Sequence, residues 1–369
     1  MPAWPTQWIS WHTVAVVLGL LLYVSTTQGL QQRRPPTAAI AWVLLIGLVP
    51  YLGLPLYLLF GNRKVARVAG ATTEHPAAPT APADDPWQGL ARSLALPAPA
   101  AARRCHLHAD GAASLAALLA VIDQARHTLD LSTFLIGDDA IGAAVCDRVR
   151  ARVAAGVAVR VMVDGVGGLR SVRMVRQFRK TGAVVTWFVS PLHWPLRGRA
   201  NLRNHRKVAI ADRERVWAGG RNLAAEYFDG AGGKPPWVDL TYDAEGPIAA
   251  ALNAIFDADW AFATGDRPQP PRPTAPPAPK PGIALAQPVP SGPDYAEDTL
   301  YALLLLGCYR AQSRIDIATP YFVPDDGLLR ALSLAARRGV KIRLLMPDAS
   351  NQRLPAASAS GSCSATISS

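Results

Sequence analysis

The sequence predicts an α/β protein that contains an internal duplication and is preceded by two apolar helices. Three observations predict it. Two apolar stretches, 11–27 and 37–60, lie near the N-terminus of the 369-residue chain. Beyond about residue 110, apolar segments with helical periodicity alternate with short β-branched segments, as in α/β folds. Two stretches of this alternation resemble each other, which indicates a repeat.

The two apolar stretches predict paired transmembrane helices. Residues 37–60 carry no charge and are long enough to cross a hydrocarbon core, whereas 11–27 is at the short end. A cleavable signal peptide is the alternative for 11–27, but no Lys or Arg precedes it and a second apolar stretch follows at once. Pro50 and Pro55 are tolerated in membrane helices.

Basic residues outside the two stretches predict the orientation. Two arginines separate the stretches, Arg33 and Arg34, and three basic residues follow the second, Arg63, Lys64 and Arg67. The positive-inside rule therefore places the rest of the chain in the cytoplasm. Four cysteines without paired spacing fit a reduced compartment. The "CHLH" at 105–108 lacks a second pair of ligands and is interpreted as a loop rather than a metal site.

Composition divides the chain into six parts. The predicted parts are two N-terminal transmembrane helices (1–67), an Ala/Pro-rich linker (68–100), a first α/β half (101–266), a Pro-rich linker (267–282), an incomplete second half (283–355) and a low-complexity tail (356–369). The repeat supports the two halves. "ARHTLDLSTFLIGDD" (125–139) aligns with "AQSRIDIATPYFVPDD" (311–326), and "AAGVAVRVMVDG" (154–165) aligns with "ARRGVKIRLLMPD" (336–348).

The net charge of +11 is concentrated in one interval. Between Asp164 and Asp212 there is no acidic residue. The basic residues of the interval are Arg170, Arg173, Arg176, Arg179, Lys180, Arg197, Arg199, Arg203, Arg206 and Lys207. This segregation favours an anionic partner, which from charge alone is a phospholipid headgroup, a membrane surface or a nucleic acid.

Candidate chemistry lies in "RNHRKVAIADRERVWAGGRN" (203–222). The "KVAIA" segment predicts a buried strand, with "DRER" as a turn and "VWA" as a second strand. Alternation along a strand places His205 and Lys207 on one face, while Asp212 falls at the strand end. An imidazole and an ammonium beside small residues and an amide suit an anionic reacting group.

The same segment resembles the phospholipase D superfamily. "HRKVAIAD" followed by "RERVWAGG" fits the pattern H-x-K-x4-D-x6-G of that superfamily, and the wider sequence resembles bacterial cardiolipin synthases. The apolar "RRPPTAAIAWVLLIGLVPYLGLPLYLLFGNRK" resembles their paired membrane helices. The resemblance implies a duplicated phospholipase D-like fold, a mixed sheet flanked by helices, in the bacterial inner membrane. It also implies conversion of phosphatidylglycerol to cardiolipin and glycerol through a phosphohistidine.

The resemblance assigns roles to seven residues. It implies that His205 is the nucleophile or the acid/base, that Lys207 stabilises the phosphoryl oxygens, and that Asp212 completes the catalytic motif by supporting the site. The residues implied to bind the substrate phosphate are Asn222, Gly219, Gly220 and Arg203. We expect no metal and no cofactor. We also expect no nucleic-acid partner, because two membrane helices disfavour the nuclease activity found elsewhere in the superfamily.

One departure from the family pattern limits the expected activity. In the first copy 49 residues separate Gly156 from His205, and the same spacing from Gly339 predicts a second motif near position 388, outside the 369 residues. Truncation, a frameshift or an incomplete gene model would explain this, and we expect the chain alone to be a poor or inactive synthase. A homodimer could bring two His205 segments together, but the incomplete second half would occupy part of the pairing surface and expose a sheet edge. The alternatives are a phospholipase D that uses water as acceptor and a catalytically inactive membrane protein that binds anionic lipid.

Overall fold

The protein is described here by a computed structural model, which defines residues 4–29, 36–61, 85–189, 203–266, 284–292 and 298–347. The chain forms two compact units. The first comprises Met1–Thr72 and Pro97–Ala296, and the second comprises Thr73–Leu96 and Glu297–Ser369. The predicted linker at 267–282 and the predicted tail at 356–369 lie outside the described residues.

Three helices open the first unit: α1 (Trp4–Gly29), α2 (Pro36–Leu48) and α3 (Pro50–Phe60). The predicted single span 37–60 is therefore divided at Val49, because Pro50 has no N–H to continue the helical ladder. Across these helices the phenol of Tyr57 lies 2.6 Å from Thr26 Oγ1 and packs with Tyr23. Among the described residues, no helix combines the length and apolar character needed to cross a membrane.

The rest of the first unit is an α/β domain. Its helices are α5 (Gly111–Gln124), α6 (Ala140–Ala154), α7 (Gly165–Leu169), α8 (Val172–Lys180) and α9 (Pro247–Thr264). Its strands are β1 (Ala100–Ala102), β2 (Arg104–His108), β3 (Thr128–Thr133), β4 (Ala158–Val163), β5 (Val184–Trp187), β6 (Lys207–Ala211), β7 (Arg215–Gly219), β8 (Thr241–Glu245) and β9 (Ala284–Ala286).

Seven of these strands form one mixed sheet in the order β2-β8-β7-β6-β3-β4-β5. Strands β3, β4 and β5 are parallel, and β6, β7, β8 and β2 continue the sheet with antiparallel pairings. Strands β1 and β9 form a separate antiparallel pair. The mixed sheet confirms the expected α/β class.

Helices cover both faces of the sheet. Leu131 and Val161 face a core that includes Phe178 of α8, and residues from α5 and α6 complete this layer. On the other face Ile210 packs in a core with Phe256 of α9. Because both faces are buried, the central strands have apolar runs rather than a strict alternation of apolar and polar residues.

A polar cluster connects the sheet to α9. Arg160 of β4 donates from Nε and Nη2 to the two carboxylate oxygens of Asp130 on β3, at 2.7 and 2.8 Å. The same guanidinium bonds Asp257 of α9 at 2.6 Å, and Asn253 of α9 donates to Asp130 at 2.7 Å. Every carboxylate in the cluster is therefore paired with a donor, which is the condition for burying one.

The second unit contains α4 (Pro86–Ser93), α10 (Thr299–Arg310), β10 (Arg314–Ala318), α11 (Asp326–Arg337) and β11 (Lys341–Leu345). Helix α4 lies inside the predicted linker 68–100, which therefore ends in ordered structure. Asp85 caps this helix by accepting a hydrogen bond from the N–H of Trp87 at 3.1 Å.

The second unit repeats a detail of the first. Strands β10 and β11 are parallel, as are β3 and β4, and Asp316 lies opposite Arg343 just as Asp130 lies opposite Arg160. Arg343 donates from Nε and Nη2 to both oxygens of Asp316, at 2.6 and 3.0 Å. The strand-helix-strand unit read from the sequence is therefore present twice, with the same cross-strand ion pair.

Candidate active site

The segment that carries the motif folds as the hairpin β6–β7, with both strands and the intervening turn where the sequence predicts them. The register pairs Lys207 with Gly219 at one end and Ala211 with Arg215 at the other. Asp212 and Arg213 make the turn at positive φ, 54° and 57°. The motif lysine and the motif aspartate consequently lie at opposite ends of β6.

Asp212 organises the end of the sheet remote from Lys207. Its carboxylate accepts the backbone N–H groups of Arg126, His127 and Thr128 at 2.7 to 2.8 Å, which joins the hairpin turn to the start of β3. Partial burial alone would raise the pKa of Asp212, but these three hydrogen bonds lower it below its ordinary value. The structure thus does not bring Asp212 to His205, and a contact with the reacting groups is not available to it.

Replacing Asp212 with Ala is expected to lower the free energy of unfolding by about 1–3 kcal/mol, since charged hydrogen bonds of this kind are lost. The pKa of Asp212 is lower in the folded chain, so its stabilisation is full above the unfolded pKa and disappears as the pH falls through the folded pKa. Urea unfolding at pH 7 and at acidic pH measures this. Asp229→Ala is the control, because Asp229 is an exposed carboxylate in the same unit. An equal effect of the two substitutions would contradict the assignment.

His205 and Lys207 lie together at the other end of the hairpin. Lys207 is the first residue of β6 and is buried, while the side chain of His205, just before the strand, reaches the surface. Lys207 Nζ donates to the backbone O of His205 at 2.6 Å and lies 3.0 Å from its Nδ1. The ring of Phe134 contacts both groups, 4.5 Å from the imidazole centroid and 5.7 Å from Nζ. The proximity of His205 and Lys207 therefore agrees with the sequence pattern.

Buried polar residues fix the backbone that leads into β6. The N–H of Asn204 donates to Asp164 at 2.9 Å, and its amide Nδ2 donates to Asp259 of α9 at 3.0 Å. Arg206 Nη1 contacts the Asp259 carboxylate at 2.5 and 2.6 Å. These hydrogen bonds fix Asn204 and Arg206, the two neighbours of His205, and thereby fix the backbone position of His205.

The environment shifts the pKa values of both groups downward. Partial desolvation lowers the pKa of His205, and the nearby Lys207 ammonium lowers it further, against an opposing effect of Asp164. Burial lowers the pKa of Lys207 to about 8, although Asp239 and Asp164 each favour the charged form. Burial also lowers the pKa of Arg203, against the attraction of Asp164. At neutral pH the site therefore combines a neutral imidazole with an ammonium.

The two glycines lie where a side chain would collide with neighbouring atoms. Gly219 pairs with Lys207 at a φ of 153°, and a Cβ there would meet the backbone of Leu240 and Thr241. A Cβ on Gly220 would meet the carboxylate of Asp239. The glycines thus allow the chain before β8 to approach the Lys207 end of the hairpin closely.

Asn222 is buried and belongs to a short polar chain. Its Nδ2 donates to the phenol of Tyr227 at 2.8 Å. Its Oδ1 lies 3.5 Å from the hydroxyl of Thr133 at the end of β3, which donates to the backbone O of Leu135 at 2.9 Å. Thr133 directly precedes Phe134, which contacts His205. The amide predicted to bind phosphate is therefore linked to the site through Tyr227 and Thr133.

The sequence interpretation did not select Asp164, Phe134, Asn204 or Asp239 as site residues. Asp164 could have been predicted as a site residue, because it directly follows an apolar strand, where the polar residues of α/β sites are commonly found. Its carboxylate accepts the N–H groups of Val166 and Gly167, at 2.8 and 3.3 Å, besides that of Asn204. Within the part of the chain that the structure describes, no group of three or more His, Cys, Asp or Glu is arranged to hold a metal ion.

Comparison with known families gives the site its context. The family described as "Cardiolipin synthase, PLD-like domain" matches residues 118–260 and 309–368, more than half of the chain and including the His205–Lys207 segment.

The chain belongs to the cardiolipin synthase family of the phospholipase D superfamily.

A second family, described as "Phospholipase_D-nuclease N-terminal", matches residues 14–62 of this cardiolipin synthase family member. Cardiolipin synthase A of Pseudomonas putida is 32% identical over 371 residues, which cover 95% of this chain and 75% of that protein. Cardiolipin synthase A of Pseudomonas aeruginosa (strain LESB58) is 32% identical over 372 residues, covering 92% of this chain and 74% of that one.

A solved structure shows the same fold. The crystal structure of phosphatidylserine synthase from Haemophilus influenzae Rd KW20 matches with a TM-score of 0.51 and 13% sequence identity, over 70% of this chain and 64% of that one. Membership in the cardiolipin synthase family makes this chain an enzyme of the phospholipase D superfamily with a function in phospholipid chemistry.

Proposed function

We propose that this enzyme transfers the phosphatidyl group of one phosphatidylglycerol to a second, which yields cardiolipin and releases glycerol. The observation that supports this most is the 3.0 Å contact between His205 Nδ1 and Lys207 Nζ, in a chain of the cardiolipin synthase family. The basic residues between Asp164 and Asp212 add an attraction for the anionic lipid.

In the first step His205 attacks phosphorus. The lowered pKa keeps the imidazole neutral at pH 7, as a nucleophile requires. An ammonium can only donate, so Nδ1 accepts from Lys207 in the unliganded site and the ring proton resides on Nε2. When Lys207 turns to the phosphoryl oxygens, the exposed imidazole gives up the Nε2 proton to water and takes one from water at Nδ1, which frees the lone pair of Nε2. The Nε2–P bond forms, the P–O bond to glycerol breaks, and the phosphatidyl group is held on His205.

The departing glycerol oxygen takes a proton, and the second phosphatidylglycerol gives one up when its hydroxyl attacks the phosphohistidine. A general acid/base contributes typically about 10²–10⁴-fold to such transfers. The resemblance assigns this task to the histidine of a second motif. We propose that a second histidine of this kind supplies and accepts the proton, and a homodimer is one arrangement that would bring two such histidines together.

The enzyme is further proposed to lie in the bacterial inner membrane through residues 1–67, with the catalytic part in the cytoplasm and no nucleic-acid partner. Leu18, Leu21 and Leu44 are exposed on α1 and α2, whereas Tyr23 and Tyr57 are buried between the helices. Apolar side chains outside and polar aromatic ones inside suit a lipid environment.

Product analysis tests the reaction. The full chain, purified in detergent, is given phosphatidylglycerol labelled in its acyl chains, and the labelled lipids are separated. We expect slow formation of cardiolipin, in excess over phosphatidic acid, and neither product with His205→Ala. Phosphatidic acid alone would show that water is the acceptor and the enzyme is a phospholipase D. No product at all would contradict a catalytic function for the chain and favour a lipid-binding protein.

A further inference from the structure

Two exposed apolar segments flank the His205–Lys207 pair. The first is α7, where Val166 and Leu169 are exposed. The second is the segment 237–240, in which Trp237, Val238 and Leu240 are exposed and Val238 reaches 100%. Exposed apolar side chains in contiguous groups are rare on soluble surfaces and mark places where another apolar phase is contacted. These two segments are named the apolar rim.

Short contacts hold α7 beside the site. Asp164 caps α7 with one carboxylate oxygen and accepts the N–H of Asn204 with the other. Gly167 packs so closely that an added Cβ would meet the backbone of Phe134, whose ring contacts His205. Helix α7, which carries Val166 and Leu169, is therefore held against Asn204 and Phe134, the neighbours of His205.

The segment 237–240 is held from the opposite side. Asp239 lies against Gly220, next to the glycine that pairs with Lys207. The N–H of Trp237 donates to the backbone O of Glu226 at 2.9 Å, and its ring stacks on Tyr227 at 6.1 Å. Tyr227 in turn accepts from Asn222. The exposed Trp237 is thus positioned by the same polar chain that leads to the site.

Positive charge accompanies the apolar rim. Helix α8 follows α7 and buries Met174, Val175 and Phe178 against the core. Its opposite side and the preceding turn expose basic groups: Arg170, Arg173, Arg176, Arg179 and Lys180. Arg173 has a single nearby carboxylate at 3.1 Å, that of Asp138. A surface with Trp and aliphatic side chains beside arginines matches the interface of an anionic bilayer, where apolar groups enter the acyl boundary and arginines meet headgroups.

We propose that the apolar rim penetrates the surface of an anionic lipid bilayer and places the His205–Lys207 site at headgroup level. This inference rests on the proposed phospholipid reaction, because it explains how a diacyl substrate reaches the site. The glycerophosphate end enters between α7 and the segment 237–240, while the acyl chains stay in the bilayer. The rim residues bind and orient lipid and do not touch the reacting atoms.

Site-specific fluorescence tests the proposal without depending on turnover. A bimane label is attached to the full chain at Val238→Cys, in a background in which Cys105 and Cys363 are replaced by Ser. The matched site is Val184→Cys, because Val184 of β5 is also an exposed valine (61%) and pairs with Arg160 at the end of the sheet away from His205. Both variants are added to vesicles of phosphatidylglycerol and phosphatidylcholine that carry nitroxides on the acyl chains, with iodide as the aqueous quencher.

The proposal expects the label at position 238 to be quenched several-fold more by acyl-chain nitroxides than the label at 184, and to be shielded from iodide. The quenching by acyl-chain nitroxides and the shielding from iodide should both be lost on vesicles of phosphatidylcholine alone at high salt. Such vesicles carry no net negative charge, and salt screens the charge of the arginines. Iodide quenching at 238 would show a solvated loop and overturn the proposal. Protection of position 238 from both quenchers would show a protein surface over the rim, such as a second copy, and overturn it as well. In another outcome, the label at 238 is quenched by the acyl-chain nitroxides while the product assay detects no cardiolipin. This combination would support the apolar rim and reject only the proposed reaction.

Discussion

Replacing His205 with Ala is expected to lower the rate of cardiolipin formation on the order of 10⁴-fold or more, as for other catalytic nucleophiles. The reason is geometric and electrostatic. The imidazole beside Lys207 is the proposed nucleophile, and its pKa is lowered by partial desolvation and by the ammonium. No other described side chain lies within 3.5 Å of Lys207 Nζ in a hydrogen bond. The substitution removes the proposed nucleophile and leaves the neighbouring Asn204 and Arg206 contacts in place.

The proposed covalent intermediate offers a second test of the role of His205. Wild-type chain incubated briefly with phosphatidylglycerol and quenched in alkali should carry the phosphatidyl group on the peptide that contains His205. His106→Ala is the matched control, because His106 is an exposed histidine on the edge strand β2. We expect this control to retain both the adduct and the activity. An adduct on another histidine, or one that survives His205→Ala, would refute the assignment.

Replacing Lys207 with Met is expected to have opposite effects on activity and stability. Activity should fall about 10²–10³-fold, because a fixed positive group no longer meets the charge that develops on the phosphoryl oxygens. The pKa of Lys207 is about 8 in the folded chain against an ordinary 10.5, so folding disfavours the ammonium. Below pH 8, keeping Lys207 charged in the folded chain lowers the free energy of unfolding by on the order of 1–3 kcal/mol, after the hydrogen bonds to His205 are counted.

The sign of the pH dependence follows from that shift. Between pH 8 and 10.5 the unfolded chain binds the proton more than the folded chain does, so the stability of the wild type rises with pH across this window. Lys207→Met should therefore be more stable than the wild type at pH 7, and the difference should shrink toward pH 10. Urea unfolding at the two pH values measures this, with Lys234→Met, an exposed lysine, as the control. A destabilised Lys207→Met at pH 7 would be the contrary result.

The kinetic pH profile reports the same two groups. The value of kcat/KM should rise through a pKa below the ordinary 6.5 of histidine, as His205 loses its proton, and should fall near pH 8, as Lys207 loses its own. In kcat the alkaline limb should move to higher pH, because a bound phosphate favours the ammonium.

Local patterns were sufficient to predict the hairpin from the sequence. The strands β6 and β7 and the turn at Asp212 depend on neighbouring residues, on apolar runs and on turn-forming types, and all three were located correctly. The proximity of His205 and Lys207 needs only a two-residue spacing. Gly156 follows the end of α6 at a φ of 83°, a backbone conformation for which glycine is the usual residue.

Contacts between distant segments could not be predicted in the same way. Asp164 and Phe134 precede His205 by 41 and 71 residues, and only the strand order β6-β3-β4 brings them to it. The role of Asp212 was read from its place in the motif, whereas the backbone groups that bind it belong to another strand. The division of 37–60 at Val49 follows from Pro50, which lacks the N–H that a continuous helix would need at that position.

The aspartate–arginine pair that occurs in both repeats contributes differently to the stability of the two units. In the first copy the carboxylate of Asp130 is 3% exposed. Loss of Arg160 would leave this buried charge without its ion-pair partner and lower the free energy of unfolding by about 3–5 kcal/mol. In the second copy Asp316 is 42% exposed and water can replace Arg343. The two units share the geometry of the pair, while its energetic importance depends on how far each pair is buried.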